Sequence, residues 1–164
     1  MGRAGFAATP LRCVAPHSAG QPDDNQETPN MASITKIEGI GPKKAKMLAK
    51  CGVKTTNGLL KCTAKPADRK QLAKESGCTP AEVLAWANKA DLMRVKGVGE
   101  EYSDLLEAAG VDTVKELRNR NAANLTEAML AKNAKKKLVR RPPALSEVEG
   151  WIKHAKTLDV VLTY

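Results

Sequence analysis

The chain has 164 residues, enough for one domain or two very small ones. Apolar residues make up 42% and aromatic residues only 3%, a composition that favours closely packed helices over a β-sandwich core. No apolar run approaches the roughly 18 residues that a membrane span needs. The formal net charge of +9 favours polyanions as partners, nucleic acid first, and a lysine-rich soluble surface is the alternative explanation.

Residues 1–30 are rich in Ala, Gly and Pro and show no helical or strand periodicity, so we expect them to be disordered. Up to Pro22 this segment contains two arginines and no acidic residue, which resembles an organellar transit peptide. The alternatives are a leader sequence or an upstream start, with Met31 as the natural beginning. We therefore expect a cytoplasmic protein, nucleoid-associated in a bacterium, or an organellar one if residues 1–22 direct import.

The chain contains an internal repeat. Residues 37–55 match residues 95–113 at an offset of 58, and a later stretch matches at an offset of 65. The pattern predicts a duplication with units at residues 31–92 and 93–164, the second carrying seven extra residues within residues 135–144. The matched pairs are Gly39 with Gly97, Gly41 with Gly99, Ala45 with Ser103, Leu48 with Leu106, Gly52 with Gly110, Trp86 with Trp151, and Ala90 with Ala155.

Each unit is predicted to be a set of short helices joined by tight turns, giving an all-α fold. Pro42 directly after Gly41 predicts a helix start, because Pro is preorganised for the first helical position. Thr79 and Glu82 predict a capping box, and we expect the same device from Thr113 to Glu116 and from Ser146 to Glu149. The apolar residues 159–164 are expected to form a tail packed on the bundle.

The first Gly-x-Gly turn is a candidate phosphate site. Gly39 and Gly41 allow unusual backbone angles and leave no side chain over the backbone amides, while Ile40 is expected to point into the core. The helix that follows presents free amides and its positive dipole end to an anion. Such contacts go to the nucleic-acid backbone and do not read sequence. The candidate phosphate-binding residues are Gly39, Ile40, Gly41, Lys43, Lys44 and Lys46. A purely structural turn, or a surface for another protein, is the alternative.

The second turn keeps the geometry and changes the charge. Gly97, Val98 and Gly99 repeat the first pattern, but Glu100 and Asp104 stand where the first copy has Pro42 and Lys46. Carboxylates at a helix start satisfy the dipole and repel phosphate. This turn is therefore predicted to be structural or to bind a protein partner.

A secondary basic patch follows, with six basic residues among ten positions. It is either a flexible clamp on a phosphate backbone or a solvated helix end followed by a stiff Pro-Pro linker. Its residues are Lys132, Lys135, Lys136, Lys137, Arg140 and Arg141.

The paired turns and their flanking helices resemble a bacterial-type family of uncharacterised function, whose members carry two helix-hairpin-helix copies of the SAM-like, orthogonal kind. The resemblance covers residues 33–164, including the apolar stretch near residue 160. It is related by fold to hairpin modules in DNA ligases, polymerases and repair nucleases. It implies sequence-independent contact with nucleic acid, DNA more than RNA, carried by Gly39, Ile40, Gly41, Lys43 and Lys44. The acidic second turn departs from that binding pattern.

The sequence offers no metal or cofactor motif, since its four cysteines form no Cys-x-x-Cys pair and its two histidines lie far from them. We expect no metal, no cofactor and no enzymatic activity. The leading hypothesis is non-enzymatic, sequence-independent DNA binding, and the first alternative is a scaffold that binds proteins. A DNA glycosylase or lyase is the third, but Asp68 and Asp91 have the pattern of helix-end residues.

Overall fold

The computed structural model describes residues 32–164, and every regular element in this range except one 3-10 turn is an α-helix. The predicted all-α class is confirmed, while the predicted disorder of residues 1–30 falls outside the described residues. Strand-like pairing in residues 32–164 is limited to an isolated bridge between Ser33 and Thr55. After the 3-10 turn (Ile34–Lys36) come α1 (Pro42–Lys50), α2 (Thr56–Thr63), α3 (Pro66–Ser76), α4 (Pro80–Leu92), α5 (Glu100–Ala108), α6 (Val114–Leu117), α7 (Ala122–Lys136) and α8 (Leu145–Ala155).

Local chemistry sets where the helices begin. Pro is the first residue of α1, α3 and α4, where its missing N–H removes no intrahelical bond. Thr55 and Thr113 cap α2 and α6 with side-chain oxygens that accept a backbone N–H three residues on. Thr79 and Glu82 form both halves of the capping box at α4.

The capping box predicted from Ser146 to Glu149 is wrong. Helix α8 begins directly after Ala144, which places Ser146 inside its first turn. Glu147 accepts the backbone N–H of Ala144 at 2.8 Å, but an alanine side chain has no oxygen to complete the device. Glu147 also forms an ion pair with Arg141. The carboxylate that accepts the N-cap amide is thus that of Glu147, two residues before the predicted Glu149.

Buried apolar side chains form two clusters. Trp86, 3% exposed, lies in the first cluster, and Trp151, 4% exposed, lies in the second, so both are core anchors. Helix α4 packs on α2 and α3 and also contacts α5, which joins the clusters. Leu92, at the end of α4, already belongs to the second cluster. The unit boundary at residues 92 and 93 stays a prediction.

Residues 159–164 leave α8 and return to the first cluster, in the packed arrangement expected for them. Leu162 is buried among residues of the first cluster. The backbone N–H of Thr163 donates to the carbonyl of Ala64 at 2.9 Å. Buried Arg69 donates to the carbonyl oxygens of Thr163 at 2.6 Å and Thr63 at 2.8 Å. This segment therefore ties the late part of the chain to the early part.

The extra length of the predicted second copy is divided between a helix and a loop. Helix α7 has 15 residues against 11 in α3, and residues 137–144 separate α7 from α8 where residues 77–79 separate α3 from α4. Both α3 and α7 end in a left-handed residue, Gly77 with φ of 66° and Lys137 with φ of 50°. The two halves thus share local geometry, and the duplication itself stays a prediction.

Candidate functional site

The first Gly-x-Gly turn is anchored to the core from both ends. Ile37 and Ile40 are buried, and the N–H of Ile40 donates to the carbonyl of Ile37 at 3.1 Å. Gly39 between them has a φ of +90°, a left-handed value that favours glycine. A Cβ on Gly39 would lie 3.1 Å from Nε1 of Trp86. The glycine is thus required by its backbone angle and by the indole packed beside it.

The start of α1 leaves backbone donors without an intrahelical acceptor. Gly41 is the N-cap and offers no side-chain cap, and the first helical bond runs from the N–H of Ala45 to the carbonyl of Gly41 at 2.9 Å. The amides of Lys43 and Lys44 therefore have no carbonyl partner within the helix. Gly41 is exposed, and a Cβ built on it would meet nothing within 4 Å. An anion has room to approach these two amides.

The three predicted lysines do not all stand free around this helix start. Lys43 and Lys46 are exposed. Lys44 instead donates to Glu82 Oε1 at 2.6 Å, and its Nζ lies 5.1 Å from the centre of the Trp86 ring. The hydrogen bond to Glu82 raises the pKa of Lys44. Its charge is mostly committed to holding α1 against α4, so Lys43 and Lys46 are the available cations.

Acidic side chains from α5 reach the same turn, which the sequence pattern did not indicate. Lys89 on α4 bridges them, with Nζ 2.6 Å from Asp104 Oδ1, 3.7 Å from Glu107 Oε2 and 3.8 Å from Glu38 Oε2. Burial alone would lower the pKa of Lys89, but the three carboxylates outweigh it and raise that pKa. Asp104 Oδ1 is buried, and its ion pair with Lys89 lacks the alignment of a hydrogen bond.

Glu38 lies in the turn itself. Hydrogen bonding and repulsion from Asp104 raise the pKa of Glu38, which Lys89 offsets in part. Glu38 and Asp104 are 66 positions apart in the sequence, so no local pattern brings them together. The negative charge beside the first turn is therefore a product of how α5 packs on α4.

The second turn repeats the backbone of the first. Gly97 has a φ of +92°, and a Cβ there would lie 2.9 Å from Nε1 of Trp151. The N–H of Val98 donates to Val95 at 3.0 Å, and Gly99 is an N-cap without a side-chain cap. A Cβ on Gly99 would also meet open space.

The side chains around the second turn differ from those around the first. Glu100 and Glu101 are exposed in the first turn of α5. Tyr102 stands where the first turn has Lys44, and its ring centre lies 5.1 Å from that of Trp151. The backbone N–H of Lys96 donates to Nδ1 of His154 at 3.0 Å. The second helix start is thus carboxylate-rich, as predicted from the sequence.

Residues 38–158, which span both turns, match the family described as a domain of unknown function, DUF4332. The chain belongs to this family. No solved structure matches it. The match runs from Glu38 in the first turn to Leu158 beyond α8, so both turns are parts of one DUF4332 domain.

In this DUF4332 domain the basic segment, defined as residues 132–141, lies beside the second turn. Tyr102 Oη donates to the carbonyl of Arg141 at 3.2 Å. Glu101 lines an open cleft of about 520 Å³ together with Lys137 and Arg140. Its hydrogen bond and ion pair to other elements go to α5 and α8, and within residues 32–164 neither reaches the first turn.

Residues 137–141 of the segment form a loop that follows α7, and the flexible clamp stays a prediction. Buried Asn133 on α7 donates to the carbonyl of Val139 at 3.1 Å and accepts the N–H of Val139 at 2.9 Å. Val139 and Pro143 are themselves buried. Two hydrogen bonds from one amide side chain thus fix the loop, because a buried asparagine must satisfy both its donor and its acceptor.

Other chemistry-bearing residues of the DUF4332 domain are engaged in structure. Asp91 is 2% exposed, accepts from Arg94 at 2.8 Å and accepts the N–H of Val114 at 2.9 Å. Within residues 32–164 no three side chains of His, Cys, Asp or Glu gather as a metal ion would require. In the same range, no helix is both long enough and apolar enough to cross a bilayer.

Proposed function

We propose that this DUF4332 domain is a non-enzymatic helix-hairpin-helix module that binds the DNA backbone without sequence preference. The observation that carries the proposal is the start of α1, where the amides of Lys43 and Lys44 have no intrahelical acceptor and the exposed Gly41 before them has nothing within 4 Å of its Cβ position. Lys43 and Lys46 place two exposed cations around these donors. A phosphate there would accept from both amides and meet the positive end of the helix dipole.

The charges set the strength of this contact. Glu38 lies within the same turn, and Lys44 is paired with Glu82, so the first turn is less positive than its sequence indicates. A contact made by amides and a few lysines is salt-dependent and tolerant of sequence. We therefore expect moderate affinity that rests on electrostatics.

The test is binding to a mixed-sequence duplex of about 30 base pairs at about 50 and 200 mM salt. If Lys43 and Lys46 neutralise about two phosphates, this contact alone lowers affinity roughly 12-fold between these concentrations. The same measurement with an RNA duplex decides between the two nucleic acids, and we expect DNA to bind more tightly. Absence of binding at the lower salt concentration contradicts the proposal.

A pair of matched variants locates the contact. Gly41→Asp places a carboxylate over the amides of α1, and Gly99→Asp makes the same change at the equivalent position of α5. Both glycines have negative φ values and open space around them, so both variants should fold. We expect Gly41→Asp to weaken binding at least about 10-fold and Gly99→Asp to weaken it less, because α5 is already acidic. Unchanged binding by Gly41→Asp would contradict a contact at the first turn.

Protein binding through the second unit is the second candidate function. The exposed carboxylates of Glu100 and Glu101 favour it, since they satisfy the helix dipole and disfavour phosphate. Sedimentation velocity tests self-association: a strict monomer that captures no partner protein removes this candidate.

Catalysis of the glycosylase or lyase kind is the third candidate, and the environment of Asp91 gives it little support. Its carboxylate is occupied by Arg94 and the backbone of Val114. Cleavage of abasic-site DNA by the pure protein, lost on Asp68→Asn, would establish catalysis instead.

A further inference from the structure

We propose that the basic segment, residues 132–141, is a second contact for a phosphodiester backbone, preformed on the face of α5. The proposal shares its partner with the proposed function, a nucleic-acid duplex, but it depends on different residues. Sequence reasoning allowed a flexible clamp or a solvated helix end here. In the structure Lys132, Lys135 and Lys136 lie exposed at the end of α7, and the other three basic residues follow in the loop.

The loop is fixed before any ligand binds. The side-chain amide of Asn133 makes both hydrogen bonds to Val139, and Tyr102 Oη holds the carbonyl of Arg141. Arg141 pairs with Glu147, which also starts α8. Because the backbone is ordered in the free protein, binding does not have to order it, and more of the interaction energy appears as affinity.

The positive charge of the segment is largely uncompensated. Apart from Arg141, its basic side chains have no carboxylate within 4 Å among residues 32–164, and all are exposed. Lys132, Lys135 and Lys136 are spaced so that they share one side of α7, where like charges repel. The favourable helix dipole offsets this repulsion only in part. Binding of a polyanion would remove the remaining repulsion among these lysines.

Lys137 is the strongest single indication. Its φ of 50° is left-handed, and among residues 32–164 it is the one non-glycine residue with a positive φ. The equivalent helix end of α3 uses Gly77. A glycine would fit this position with less strain, so a lysine held there points to a use for its side chain.

The chemistry of the segment favours a phosphate backbone over a lipid surface. A membrane-binding segment presents apolar side chains for insertion beside its cations. Within residues 132–141 Val139 is buried and Leu138 is half-buried, while exposed Leu130 and Leu145 flank the segment, so its own exposed surface is mainly charged. Glu101 lines the same cleft as Lys137 and Arg140, and its carboxylate opposes the binding of an anion inside that cleft.

The first experiment removes three of these charges at once, with Lys135→Gln, Lys136→Gln and Arg140→Gln in the full chain. The salt dependence of binding to the same duplex is measured, and we expect its slope to fall by about 3. The control variant carries Lys65→Gln, Lys70→Gln and Lys74→Gln. These lysines are exposed at α3, have no carboxylate within 4 Å among residues 32–164, and change the net charge equally.

The second experiment uses Lys137→Gly. If Lys137 has only a structural role, this variant changes the melting temperature and leaves the duplex affinity unchanged. The glycine relieves the left-handed strain, so the melting temperature rises by a few degrees. At the same time the affinity for the duplex falls about 2- to 5-fold, because one phosphate contact is lost. A rise in melting temperature without loss of affinity overturns the role given to Lys137.

The outcomes separate this proposal from the proposed function. If the basic-segment variant weakens binding and Gly41→Asp does not, the second contact stands and the first turn fails. If Gly41→Asp weakens binding and the basic-segment variant equals its α3 control, this proposal is overturned. The basic-segment variant is also tested for binding to vesicles of anionic phospholipid. If it loses vesicle binding while its duplex binding is unchanged, the segment binds lipid and this proposal is overturned.

Discussion

The indole Nε1 of Trp86 lies 3.1 Å from the position that a Cβ on Gly39 would occupy. Trp151 stands in the same relation to Gly97, at 2.9 Å. In both halves a large core side chain from a late helix supports the turn that begins an earlier helix. The shape of each turn is therefore set by packing as well as by its own backbone angles.

We predict that Gly39→Ala destabilises the protein by about 2 kcal/mol, because it adds a methyl group against Trp86 and forces a left-handed alanine. Denaturant unfolding measures the change. Gly41→Ala is the control, since Gly41 has a φ of −73° and open space, and it should shift the free energy of unfolding by less than about 0.5 kcal/mol. Similar losses in the two variants would mean that Trp86 does not constrain the turn.

Glu38→Gln should increase duplex affinity about 2- to 5-fold at neutral pH, because it removes a carboxylate beside the amides of α1. The hydrogen bond with Asp104 is the largest cause of the raised pKa of Glu38. In the wild type, Glu38 is therefore protonated at a higher pH than an ordinary glutamate. The advantage of the variant should therefore shrink as the pH falls from neutral into the acid range and Glu38 takes up its proton. Titrations at several pH values measure it, with Glu75→Gln on α3 as the control. An advantage that is constant with pH would contradict the role of Glu38.

Acid should weaken the α1–α4 contact through Glu82. The hydrogen bond from Lys44, aided by Thr79, lowers the pKa of Glu82 to about 2. A depressed carboxyl pKa adds stability above its unfolded value of 4.5, and this stability is lost as the pH falls from 4.5 towards 2. Because the side chain is 38% exposed, solvent screening keeps the effect small.

Thermal unfolding against pH tests this expectation. Glu82→Gln should melt lower than the wild type at pH 7 and converge with it near pH 2. Lys44→Met removes the largest cause of the shift, so the same comparison in that background should give a smaller difference. A gap between wild type and Glu82→Gln that persists at the acid end would rule out this ion pair as its origin.

Arg69→Met should lower the free energy of unfolding by about 3 kcal/mol. The variant removes the charged hydrogen bonds to the carbonyls of Thr63 and Thr163 and leaves these carbonyls buried or poorly solvated. Amide hydrogen exchange should also show faster exchange at Thr163. Arg120→Met is the control, since Arg120 is exposed and its hydrogen bond within residues 32–164 goes to the carbonyl of Gly110. If both variants lose the same stability, Arg69 does not anchor residues 159–164.

The features that sequence reasoning captured are local ones. Gly39 and Gly97 at left-handed positions, Pro at three helix starts, and the Thr79 and Glu82 box all depend on residues at most four apart. Short-range chemistry decides these choices before any tertiary packing exists. The all-α class follows from them.

The features it missed are contacts between distant parts of the chain. Lys44 with Glu82, Glu38 with Asp104 and Arg69 with Thr163 join residues 38 to 94 positions apart. Nothing in the periodicity of one helix specifies its charged neighbour on another. Asn133 did carry a usable signal. It lies four positions after buried Met129 on the same side of α7, and a buried polar side chain needs a hydrogen-bond partner. In the structure that partner is the backbone of Val139.

The burial of Leu162 among residues of the first cluster has a consequence for biosynthesis. A ribosome makes Ile34 well over a hundred residues before Leu162. Until then the nascent first half exposes the apolar surface that Leu162 will cover, and Arg69 lacks its second carbonyl. The first cluster is therefore complete only after nearly the whole described chain has been synthesised.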